Sequence, residues 1–325
     1  MYSTKLLTVE DYENFELIYD DFCAKAKDEY NFELEPIDYD GFLDSVEKKY
    51  IDCIILYDNH RLAGFLVYTT AISEAIELNI IHCIDSEYYL VHANALLEKF
   101  LELTSATRRN KIVCYPMLGN QKNLISSVVK YGFQFIGIEV LRFKMFGTDS
   151  KELFSRARIV ELPDDYRVVG WDIKYFNDAV KVIQESFVNS SDALFDPRFK
   201  SISGCTDILS KVVNDVYAKF LPDATSVLLY KECPVGFSFM NITNNSIVNI
   251  PLVGITEEHQ GKGLSTIMLK RSMDEIINNR VLANVTEINT TTETNNLQAL
   301  RLYKNLGFIE DYSYPQSYLP ISDFR

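Results

Sequence analysis

The chain has 325 residues, 47 % apolar and 24 % charged, a composition that excludes large-scale disorder. Its formal net charge of −14 disfavours nucleic acid and anionic membrane as partners, since both need their phosphate charge neutralised. The excess is −10 in residues 1–150 (14 Lys+Arg against 24 Asp+Glu) and −4 in residues 151–325 (18 against 22), so a neutral or cationic small molecule is the easier partner, although acidity also serves solubility alone.

The length exceeds the usual ~100 to 200 residues of one domain, so two are expected. The first residues, MYSTKLLTVEDYENF, do not alternate as a basic and then apolar leader would. No later stretch approaches the roughly 18 uninterrupted apolar residues of a membrane span. A cytoplasmic protein is therefore expected. Six cysteines stand singly, without ligand spacing to a histidine, so no metal is expected and buried reduced thiols are.

From Glu10 to Asp58 there are 16 acidic residues against four lysines, which reads as a solvated face. RLAGFLVYTT (61–70) reads as a strand, and IDSEYYLVHANALLEKF leads into a helix. VVKYGFQFIGIEV (128–140) ends the first half, and the polar stretch 147–166, with Pro163-Asp164-Asp165, reads as the join. The expected domains are 1–150 and 166–325 with a linker at 151–165.

In the second half, RVVGW (167–171) reads as a strand, and 174–188 and 206–220 as amphipathic helices. SVLLYK and VGFSFMNI flank the turn Glu232-Cys233-Pro234 as a hairpin, and Asn244-Asn245 starts the return strand SIVNIPLVGI. After HQGKG come a helix to about Asn279, a strand VTEINTTT, a helix NLQALRLYKNL closed by Gly307, and two strands around FIEDYSY and QSYLPI. An α/β fold with a mixed sheet follows. The first half echoes this order: Gly64 to Gly132 is 68 residues and Gly236 to Gly307 is 71, which suggests two copies of one fold.

A helix N-terminus presents unpaired N–H groups and a positive dipole end, and glycines let a backbone close around an anion. Gln260-Gly261-Lys262-Gly263-Leu264-Ser265 therefore reads as a pyrophosphate cradle, with Lys262 adding charge and Thr266 a hydroxyl. The same pattern also serves as a plain turn. Further on, Asn296, Leu300 and Tyr303 share a helix face by i, i+4, i+7 spacing.

Here the sequence resembles the GCN5-related N-acetyltransferase (GNAT) family, whose members carry Gln/Arg-x-x-Gly-x-Gly/Ala after the fourth strand and Asn-x-x-Ala-x-x-x-Tyr-x-x-x-Gly-Phe after the fifth. Gln260 to Ser265 fit the first motif, with Ser265 replacing the final Gly or Ala. Asn296, Ala299, Tyr303, Gly307 and Phe308 match the second. The resemblance implies two tandem GNAT-like domains, each a mixed, largely antiparallel sheet flanked by helices. It implies acetyl-CoA as cofactor and acetyl transfer to a primary amine, with a small molecule as the expected acceptor. A noncatalytic acyl-CoA-binding or interaction module is the alternative. Two fused copies are expected to act as a monomer or homodimer.

By the same resemblance, backbone groups of Leu252, Val253 and Ile255 hold the pantetheine arm. Asn296 contacts its amide or simply caps a helix, and Tyr303 is the general acid. Pro251 suits a bulged or splayed strand. No carboxylate lies on 247–254, so Glu293 is the candidate base, acting through water. Asp192, Asp196, Tyr312, Tyr314 and Tyr318 are candidates for an acidic, aromatic acceptor pocket. In the first half Val128 falls at the register of Tyr303 and Gln121 at that of Asn296. Asp85, Glu87, Tyr88, Tyr89 and Leu90 stand where a cradle should be, so that copy is expected to have lost the cofactor site.

Overall fold

The computed structural model describes residues 2–30, 36–70, 75–115, 117, 124–146 and 148–321; Gln121 lies outside them. The chain divides by internal packing into two compact units, Met1–Ile136 with Tyr314–Arg325, and Gly137–Ser313.

In the first unit, β1 (Tyr2–Leu6), α1 (Tyr12–Tyr30), α2 (Tyr39–Glu47), β2 (Asp52–Asp58), β3 (Arg61–Thr69), β4 (Ala75–Cys83), α3 (Tyr89–Leu103), β5 (Ile112–Tyr115) and α4 (Ile125–Lys130) follow in order. The sheet runs β1-β2-β3-β4-β5, antiparallel except for the parallel pair β4–β5. Asn59 and His60, both at positive φ, make the tight β2–β3 turn whose twist suits a hairpin. One sheet face buries Ile54, Leu66, Leu96 and Phe100; the other buries Phe15, Phe22, Phe42 and Phe65. Each such side chain contributes about 1.5–3 kcal/mol by leaving water.

The second unit contains most of β6 (Gln134–Lys144), α5 (Thr148–Ser155), β7 (Tyr166–Gly170), α6 (Phe176–Phe187), the one-turn α7 (Asp192–Phe195), α8 (Ile202–Val213), β8 (Lys219–Phe220), β9 (Ser226–Tyr230), β10 (Cys233–Thr243), β11 (Ile247–Ile255), α9 (Leu264–Asn278), β12 (Glu287–Glu293), α10 (Leu297–Asn305) and the start of β13 (Ile309–Leu319). Its sheet runs β6-β12-β11-β10-β9-β7, with β8 beside β10, and only β11–β12 is parallel. Helices α6 and α8 bury Val180, Ile183 and Leu209 against Phe237, Phe239 and Leu252. On the opposite face α9 and α10 bury Leu269, Met273, Leu300 and Tyr303 against Met240, Val248 and Ile288.

Several expectations need correction. The helix read over 206–220 stops at Val213, because Asp215 turns to φ +63 and its carboxylate accepts from the Phe220 N–H. The hairpin turn is Lys231-Glu232, both at positive φ, and Cys233 already begins β10, exposed rather than buried. The expected final pair of strands is the single strand β13: Pro315, between the two expected runs, takes the extended conformation its fixed φ permits. Unit boundaries also differ from the sequence boundaries. Residues Ile138–Lys144 of β6 pair with β12 in the second unit, while Ser317–Leu319 of β13 pair with β5 in the first.

Candidate active site

The site starts from an irregularity in β11. Phe239 pairs with Leu252 and Asn241 with Asn249, so Met240 of β10 faces two residues, Ile250 and Pro251. That bulge suits proline, which has no N–H for the ladder. The parallel pairing of β11 with β12 is confined to Ile247–Asn249 with Glu287–Asn289, although β11 continues to Ile255 and β12 to Glu293. The two strands part there, leaving backbone groups of Leu252 to Ile255 unpaired toward β12. The side chains of Leu252 and Ile255 are buried and that of Val253 packs partly on the α9–α10 face, so these residues can offer a ligand only their backbone.

Beyond β11, the Gln260 amide donates to the Ile255 carbonyl at 2.8 Å and ties the loop to the strand end. Gly261 and Gly263 have φ of +73° and +74°, where other residues are strained. A Cβ on Gly261 would meet nothing within 4 Å, so the loop is open on that side. Gly263 is the N-cap of α9 and lacks a side chain to cap it, which leaves first-turn N–H groups such as those of Leu264 and Ser265 for an anion. The Leu264 side chain is in the core. Lys262 turns inward: its ammonium donates to the Glu258 carbonyl at 3.0 Å and the Tyr166 hydroxyl at 3.2 Å, and that hydroxyl lies 2.7 Å from His259 Nδ1. Lys262 thus braces the loop as well as charging it. A phosphate-bearing group fits this cradle, which has two positive-φ glycines, an open side at Gly261 and free helix N–H groups.

Tyr303 is 6 % exposed, packs edge-on against Phe308 and has the Thr290 hydroxyl near its own. Thr290 is the first β12 residue past the paired stretch, which puts the phenol where the strands part. Burial raises its pKa, and the Asp192 charge adds to the rise, so it keeps its proton at neutral pH. Asn296 caps α10, its Oδ1 accepting from the Ala299 N–H at 3.1 Å, and its side-chain NH₂ remains available.

Glu293 ends β12, and the Ser191 hydroxyl donates to its carboxylate. Asp192, the next residue after Ser191, is exposed; desolvation and the charges of Glu293 and Asp196 raise its pKa, and its charge in turn acts on Tyr303. Asp196 is not free: Arg198 clamps it through Nε at 2.8 Å, and it also caps the turn Pro197–Lys200. Tyr312 is half-buried on β13 within the second unit, and Tyr314 and Tyr318 fall in the first unit. Sequence reasoning missed Ser191 and Thr290; neither carries a local signal, since their partners lie far along the chain.

In the first unit, the carboxylate of Asp85 accepts from the N–H groups of Glu87 at 2.9 Å and Tyr88 at 3.4 Å in the turn just before α3, where it would repel a phosphate. Val128, at the register of Tyr303, is fully buried and apolar.

Residues 205–308 match the model of the acetyltransferase (GNAT) family, a span that takes in the bulge, the cradle and α10; this part of the chain is a GNAT domain. No curated protein matches the chain in sequence. In fold, it is similar over 100 % of both chains to a tandem GNAT protein from the clavulanic acid biosynthesis pathway (11 % identity, TM-score 0.61). It is similar over 98 % of its length and 96 % of the other's to a GCN5-related N-acetyltransferase from Sphaerobacter thermophilus (11 % identity, TM-score 0.63). A GCN5-related glucosamine N-acetyltransferase region in a fungal multi-domain β-N-acetylglucosaminidase is matched over 98 % of this chain and 38 % of that one (12 % identity, TM-score 0.59). At such identities the likeness is one of fold, and the fold is that of two tandem GNAT-like domains, each a mixed, largely antiparallel sheet flanked by helices.

Proposed function

We propose that the second unit transfers an acetyl group from acetyl-CoA to a primary amine of a small molecule. The observation that carries this reading is the parting of β11 and β12 beside an open anion cradle at the start of α9, with Glu293 ending β12 and Tyr303 on α10.

Acetyl-CoA, when bound, supplies an acetyl group activated as a thioester. The N–H groups at the start of α9 would hold its phosphates, the free backbone of Leu252 to Ile255 would hold the pantetheine arm, and the side-chain NH₂ of Asn296, whose Oδ1 caps α10, would meet a carbonyl of that arm. Asp192 and Glu293 attract the acceptor as an ammonium and take up its proton, directly or through water. Glu293, fixed by Ser191, is the better-positioned base; Asp192, with its raised pKa, is the more receptive. Tyr303 keeps a proton at Oη for the departing sulfur.

Calorimetric titration with acetyl-CoA, followed by thiol release across a panel of small amines, tests the proposal. Binding at one site per chain with amine-dependent thiol release supports it. Binding with no release for any amine would favour the noncatalytic acyl-CoA-binding module, and two sites would revive the first unit as a cofactor site.

A further inference from the structure

Residues 157–163 run as a strap without helix or strand pairing. Both of the Asn305 side chain's amide groups grip Arg158: the Arg158 N–H donates to Oδ1, and Nδ2 donates to the Arg158 carbonyl, each at 3.1 Å. Two residues on, Val160 lies against the cradle; a Cβ on Gly263 would stand 2.8 Å from its Cγ2. Leu162 then joins the cluster of Ile255, Leu264 and Met268. The strap is thus pinned at the last turn of α10 and at the first turn of α9, and it walls the cradle on the Gly263 side while Gly261 stays open.

Val160 is half exposed yet reaches Gly263, and Leu162 is partly buried in the α9 cluster, so the residue two before Val160 stands at the rim of the cradle. Arg158 is exposed, and its guanidinium has no hydrogen-bond or ion-pair partner among the described residues. Its Cα is within about 7 Å of that of Val160 along the chain, so its side chain reaches the edge of the cradle. Lys262, the loop's own cation, is held by Tyr166 and Glu258. Coenzyme A carries a second anionic group, the 3′-phosphate of its ribose, and a free guanidinium is well suited to a phosphate monoester.

We propose that this strap is part of the cofactor site and that Arg158 binds the 3′-phosphate of coenzyme A. The proposal rests on the cofactor reading above. Asn305 is then a positioning residue, holding the strap from the end of α10.

The test is calorimetric binding of coenzyme A and of 3′-dephospho-coenzyme A to the full chain and to Arg158→Ala. Arg280→Ala serves as control, since Arg280 lies past the far end of α9. The unaltered chain should bind coenzyme A about 10-fold more tightly than the dephospho form, as one exposed charge-assisted contact would give. Arg158→Ala should erase that preference by weakening coenzyme A alone, and Arg280→Ala should keep it. Asn305→Ala should reduce the preference in part. Equal affinity for the two ligands in the unaltered chain, or equal weakening of both by Arg158→Ala, overturns the proposal while leaving the cofactor reading intact. Binding of neither ligand overturns the cofactor reading, and this inference with it.

Discussion

The hydroxyl of Ser191 donates to the carboxylate of Glu293, a residue 102 positions further along the chain. The contact fixes Glu293 on the wall of the cleft but occupies one of its oxygens, and Asp192 stands beside it with a raised pKa. Glu293→Gln should lower kcat/KM about 10²- to 10⁴-fold, the usual worth of a general base, with Ser191→Ala falling between it and the unaltered protein. If Asp192 takes up the proton, its raised pKa should move the acidic limb of the pH–rate profile to higher pH, and Asp192→Asn should remove that shift. A Glu293→Gln enzyme with an unchanged profile and rate would transfer the base role to Asp192.

Tyr303→Phe keeps the ring that packs on Phe308 and removes only the hydroxyl at Thr290. Turnover should fall roughly 10- to 1000-fold, with acetyl-CoA affinity little changed. Unaltered kcat in a stopped thiol-release assay would remove the acid assignment.

The two loop glycines should not respond alike. Alanine at either incurs about 1–2 kcal/mol for its left-handed backbone. Only at Gly263 would it also drive into Val160; at Gly261 it would meet open space. Gly263→Ala should therefore weaken acetyl-CoA binding and lower the melting temperature more than Gly261→Ala does, and Gly263→Asp should abolish binding. Equal effects at the two positions would mean that the strap yields freely.

Strand β6 pairs with β12 along the whole of Glu287–Glu293, and the Ser150 carbonyl would lie 2.4 Å from a Cβ on Gly307. A fragment of residues 166–325 lacks both β6 and α5 and should fail to melt cooperatively, whereas residues 137–313 should do so. Circular dichroism of the two fragments decides the matter; cooperative melting of 166–325 near the full chain's temperature would show β6 to be dispensable.

In the first unit, fully buried His82 meets Asp21 at 2.9 Å, yet burial lowers its pKa to about 4. The unfolded chain, with a histidine near 6.5, binds the extra proton first, so stability is fully present above about pH 6.5 and declines as pH falls toward 4. The loss amounts to about 3 kcal/mol over that window. Urea midpoints of the unaltered chain and His82→Phe should diverge in their pH dependence there, the variant losing less; parallel curves would contradict the buried neutral histidine.

What the sequence by itself determined is what is encoded locally. The order of elements in two similar halves follows from apolar periodicity, the cradle from glycines at a strand-to-helix junction, and α10 from the spacing of Asn296, Tyr303 and Gly307. The bulge was legible because proline cannot serve a central ladder. Only the tertiary structure decided that Tyr303 reaches Thr290, that Ser191 holds Glu293, that Asp196 belongs to Arg198, and that Val160 lies on Gly263. It also decided that β6 pairs with β12 and the end of β13 with β5. Each of these depends on strand register and on which elements pack together. Such contacts join residues whose own neighbourhoods look ordinary, so no local propensity or spacing marks them.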